Sequence, residues 1–158
     1  MSSLYLLQSF LLFHLIGFML FAGATVADFV AFRQFWKQYG PDKTKAAAML
    51  QSMVKFPVLM RIGIITIVLT GIGMMAVTHG AFGEQLWFRI KFGLVIIIIL
   101  NGVLVGRRQG VLLRKIAEEN THEAFEKVQK IRSNLSVFHT IQFTLFFIIV
   151  LLSVFKFN

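Results

Sequence analysis

Cysteine is absent from the 158 residues. Disulfides, thiolate metal sites and thiol nucleophiles are therefore excluded together. Proline is nearly absent, with only Pro41 and Pro57, each beside an apolar run. Charge is scarce and one-sided: 7 acidic residues stand against 16 lysines and arginines, and only 15% of the chain is charged. Also missing are a Ser-His-Asp set, a phosphate-cradling glycine loop and a paired-carboxylate site, so hydrolytic and nucleotide-driven chemistry find no support. What fills the chain is apolar: 57% is hydrophobic, and the mean hydropathy is +0.76. A soluble domain is about half apolar and about a quarter charged, so the balance points to a bilayer.

Four runs are long enough to cross hydrocarbon, which takes about 20 helical residues. They cover residues 4–32, 57–77, 86–106 and 135–155. An open sheet would leave backbone groups unpaired in lipid, so the expected fold is all-α: a single four-helix transmembrane domain over 1–158. Ala22-Gly23-Ala24 resembles a cleavage site, but no lysine or arginine precedes Arg33. The basic n-region of a signal peptide is missing, and the first run is read as a retained span.

Orientation follows from the cations. Thirteen of the 16 fall in the connections after the first and third spans, from Arg33 to Arg61 and from Arg107 to Arg132. Arg89, Lys91 and Lys156 lie towards the opposite side. The richer side is expected to be cytoplasmic, with both termini outside, in a cell membrane (the inner one of a Gram-negative cell). Cations that flank apolar runs suit anionic lipid headgroups, not nucleic acid.

Gly40-Pro41-Asp42 is expected to end the first helix. Residues 44–56 then read as a short surface helix, with Pro57 at its bend into the second span. The loop 79–85 is short and makes the second and third spans expected neighbours. Residues 107–132 form an amphipathic extension, with Val111, Leu112 and Ile116 on one stripe and Val128, Ile131 and Leu135 on another. Asn120 with Glu123 resembles a helix start. The extension is read as a hairpin beyond the headgroups, serving as support or as a docking site. Gly102, Gly106 and Gly110, with Gly71 and Gly73, would allow close helix packing within the bundle or with a second copy.

Polar residues inside spans are expensive, which makes His14, Asp28, Arg61, Lys91, Asn101, His139 and Gln142 the functional candidates. His14 lies six residues beyond Gln8, about 9 Å deep, and Lys91 lies one turn beyond the interfacial Trp87, about 6 Å deep. Both fall in the same leaflet. A neutral imidazole and a free amine could together ligate a haem iron, with Arg89 beside a propionate. The alternative is that His14 bonds a neighbouring helix while Lys91 reaches up to phosphates. His79, after Met74 and Met75, would suit a soft metal such as copper, or simply sit at the interface. His139, near the cytoplasmic end of the last span, could serve a second site, and His122 is read as solvated. Asp28 is read as one half of a structural ion pair with Arg61 or Arg33, ahead of a proton relay.

At these residues the chain resembles the HemJ-type protoporphyrinogen oxidases and, more broadly, CopD-like membrane domains. His14-Leu15-Ile16-Gly17 followed by Phe21-Ala22-Gly23 is similar to the family's first helix. Leu86-Trp87-Phe88-Arg89-Ile90-Lys91 followed by Leu94-Val95 is similar to its third, and Phe146 to Lys156 to its last. Phe21 stands where the family usually has tryptophan. Asn101-Gly102 lies where a tyrosine-histidine pair is expected. The resemblance implies one haem b held by His14 and Lys91, with Met19 or Met74 as a substitute ligand. It implies oxidation of a porphyrinogen, or electron exchange with a lipid-soluble carrier. The rival readings are a CopD-like copper handler using His79, Met74, Met75 and His14, and a cofactor-free accessory subunit.

Overall fold

The computed structural model describes residues 3–81, 83–116 and 122–155. All regular structure among them is helical. Helix α1 covers Ser3–Gln38, α2 Lys43–Ser52, α3 Phe56–Val77, α4 Leu86–Asn101, α5 Arg108–Ile116 and α6 His122–Phe155. A short 3-10 turn, Met53–Lys55, joins α2 to α3, and a π-helical segment, Gly102–Arg107, joins α4 to α5. The chain therefore makes four long rods, each apolar enough to cross a membrane: Ser3–Gln38, Thr44–Val77, Leu86–Ile116 and Glu126–Phe155. It is a four-helix membrane bundle. Asn120 and Lys156, the side chain of His122, and the capping role expected of Asn120 with Glu123 lie outside the described residues.

The rods outrun a bilayer. With 36 residues, α1 is about 54 Å long, against about 30 Å of hydrocarbon. The excess lies at the end that carries the cations, and there the four rods enclose a core of their own. Phe35, Ala46, Met53, Leu113, Ile116, Val128 and Ile131 are buried together, beyond the level of Arg33 and Arg132. This basic end is built like a small soluble helical domain. Asp42 caps α2 by accepting from the Lys45 backbone N–H at 3.0 Å. Instead of lying apart on a surface, α2 packs along the end of α1 through Ala46.

Two pairings organise the rest. The close partner of α3 is α1, not α4, although a short loop joins α3 to α4. Gly17 and Gly63 bring the α1 and α3 backbones into contact at their crossing. A methyl group added at Gly63 would stand 2.8 Å from the Gly17 carbonyl oxygen and the Phe21 nitrogen. The second pairing sets α4 on α6. Of the glycine stripe on the π segment and α5, only Gly106 meets a neighbour, the Phe138 ring, while Gly102 and Gly110 face open space.

The buried stripe of α5 also differs from the expected one. Leu113 and Ile116 are buried, whereas Val111 and Leu112 are exposed. The π segment explains the shift. A π turn takes up about one residue more than an α turn, which rotates the following helix by about 100°.

Candidate functional site

Two polar groupings lie within the spans, at different levels of the bundle. The first is at the end opposite the cations, where packing is loose. Among the described residues beyond Gly17 on α1, Thr70 on α3, Ile98 on α4 and Ile149 on α6, Trp87 alone is buried. His14 and Lys91 lie here, both half-buried. The His14 ring rests over Gly71, where a side chain would stand 3.7 Å from its Cε1. Its Nδ1 is 2.9 Å from the Thr70 hydroxyl oxygen. That hydroxyl donates its one proton to the Thr66 carbonyl at 2.6 Å. With its proton on that carbonyl, Thr70 Oγ1 can accept from Nδ1, the arrangement in which Nε2 keeps its lone pair.

Lys91 comes from the other helix pair, on α4. Helices α1 and α4 pack on α3 and α6 respectively, and hardly on each other. Arg89 is exposed near the start of α4. An imidazole on α1 and an amine on α4, both groups able to ligate an iron, thus lie at the same loose end of the bundle. The hydroxyl that orients the ring, Thr70, was not among the residues singled out from sequence. Its signal was its position on a glycine-flanked turn of α3, four residues after Thr66.

The second grouping lies nearer the basic end and joins three helices. Asp28 on α1 pairs with His139 on α6, Oδ2 to Nε2 at 3.1 Å. The Asn101 amide on α4 donates to Gln142 Oε1 on α6 at 3.0 Å. His139 and Gln142 are 1% and 2% exposed, and they lie one turn apart on the same face. Asn101 is the last residue before the π segment.

This arrangement corrects the expected partners of Asp28. Arg61 turns back to donate to the Pro57 carbonyl at 3.2 Å. Arg33 lies over the Phe29 ring, 5.7 Å from its centroid. His139 takes their place. With Nδ1 on the Leu135 carbonyl at 2.7 Å and Nε2 on Asp28, it has no lone pair for a metal.

His79 is exposed beyond the end of α3, with φ 49°, in the left-handed region. Among the described residues no group of three or more His, Asp or Glu side chains could hold a metal ion. Fold and site together define a four-helix membrane bundle with a histidine–lysine pair at its loose end. No family model, curated protein or solved structure matches the chain.

Proposed function

We propose that the chain is a haem-b-binding membrane redox protein. In this reading it exchanges electrons with a lipid-soluble carrier or a porphyrinogen, and its basic end lies among anionic headgroups on the cytoplasmic side. The observation that carries the proposal is the 2.9 Å contact of His14 Nδ1 with the Thr70 hydroxyl, which can accept the Nδ1 proton and leave Nε2 as a ligand atom, in the loosely packed end of the bundle. The resemblance of the segments around His14 and Lys91 to the HemJ-type pattern supports the same assignment.

His14 would hold the iron from α1 and Lys91, as the free amine, from α4, while Arg89 would balance a propionate at the surface. The haem would supply a one-electron couple. The chain's own contribution would be to hold the imidazole through Thr70 and to exclude water with apolar side chains.

The test is a haem titration of the purified protein in detergent, followed in the visible spectrum. A Soret band saturating at one haem per chain is expected. Thr70→Val, which leaves Nδ1 without its acceptor, should weaken binding about 10- to 100-fold. A chain that stays colourless after reconstitution would leave the bundle without a cofactor, as an accessory subunit.

A further inference from the structure

The hydrogen bonds around His139 count protons. The Leu135 carbonyl can only accept, so Nδ1 carries a proton. The contact of 3.1 Å between Nε2 and Asp28 Oδ2 needs one proton more. That proton can sit on the imidazole, giving an imidazolium beside a carboxylate, or on the acid beside a neutral imidazole. Both forms hold the same number of protons and have no net charge, so the pair can lie inside a membrane at tolerable cost. With the proton removed, a lone pair faces a carboxylate and a net negative charge is left among apolar groups. With a second proton added, the neutral acid can still accept from the imidazolium, but a net positive charge is left among apolar groups.

We propose that Asp28 and His139 form a binding site for one proton, and that this proton keeps α1 docked on α6. Ring contacts such as Phe21–Phe146 and Phe29–Phe143 also join α1 to α6, and this bond is the buried polar part of that joint. Neighbouring charges do not stand in for it. Arg33 on α1 lies over Phe29 and Arg132 on α6 lies over Trp36. Arg61 on α3 is bonded to Pro57. On α2, Lys45 pairs with Asp42. From α4 comes Asn101, uncharged and bonded to Gln142. Arg107 and Arg108, in and after the π segment, are exposed. An arginine in place of His139 could hold Asp28 without depending on this proton. The site is separate from His14 and stands whether or not a haem binds there.

The experiment compares thermal unfolding of the native chain and of Asp28→Asn in detergent as the pH is raised. In the native chain, loss of the proton breaks the bond, so stability present at lower pH is lost on going up, with Tm falling by about 5 °C. In Asp28→Asn the amide donates to Nε2 without any titratable proton, and Tm should stay level over the same range. Equal pH dependence in the two proteins overturns the proposal. Should Asp28→Asn not fold, nitrogen NMR of the native chain with labelled histidine decides. Nδ1 of His139 should remain protonated throughout, while Nε2 loses its proton in step with the fall in Tm. An Nε2 whose state does not change across that fall overturns it.

Discussion

His14→Ala is expected to abolish the Soret band of the haem-titrated protein, with affinity falling by about two orders of magnitude or more. The reason is that His14 Nε2 is the one imidazole nitrogen in the loose end with a lone pair held in a fixed direction, by the bond from Nδ1 to Thr70. Its removal should cost little stability, because the ring is half-exposed and its bond to the Thr70 hydroxyl is neutral. The fold then serves as its own control: helicity and melting should persist while colour is lost. Lys91→Met should behave differently. With one protein ligand left, the haem should bind more weakly and the band should move, reporting a change of coordination and not its disappearance. If both variants keep an unaltered spectrum, the ligands lie elsewhere and the histidine–lysine pair is only a packing feature.

The second large effect is expected far from that site. Phe35 is 0% exposed in the core of the basic end, with its ring 5.0 Å from Trp36 and 5.3 Å from Tyr39. Phe35→Ala removes a ring from a close-packed interior and should cost about 3–5 kcal/mol. Leu69→Ala, at a position 63% exposed on the apolar surface of α3, should cost well under about 1 kcal/mol in the same micelles. Unfolding monitored by tryptophan fluorescence during denaturant titration would check both, since Trp36 lies in the same ring cluster as Phe35. Equal losses would mean that the basic end is not a cooperative core.

Much of the architecture was legible because it depends on length and hydropathy alone. Four apolar runs gave four rods, and the amphipathic stretch after Arg107 gave the hairpin that extends them. Pairing was less legible. The touching backbones at Gly17 and Gly63 join residues 46 positions apart, and no repeat within either helix announces it, whereas the more regular Gly102, Gly106 and Gly110 engage only one neighbour. The π segment cannot be seen in apolar periodicity either, and it displaced the buried stripe of α5 from Val111 and Leu112 to Leu113.

The candidate polar residues were visible as a set, but their partners were not. Arg33 follows Asp28 by five residues, which places it about 140° around the helix and makes it a poor partner. The usable signal was on α6, where His139 and Gln142 are three apart and so share a face with each other, opposite a carboxylate on α1 and an amide on α4. The sequence suggested matching depths for His14 and Lys91, but it did not point to the hydroxyl beside the imidazole, which comes from α3.

The uneven packing makes the molecule resemble a clothes peg. Its spring is the aromatic and aliphatic knot gathered around Phe35, and its jaws are the loosely packed ends of the two helix pairs that bear His14 and Lys91. Strain or thermal motion spreads such a device from the jaws, so a flat guest would enter sideways from the acyl chains without disturbing the knot. Hydrogen exchange in bicelles should then proceed fastest in the first turns of α1 and α4 and slowest around Phe35; the reverse order would contradict it.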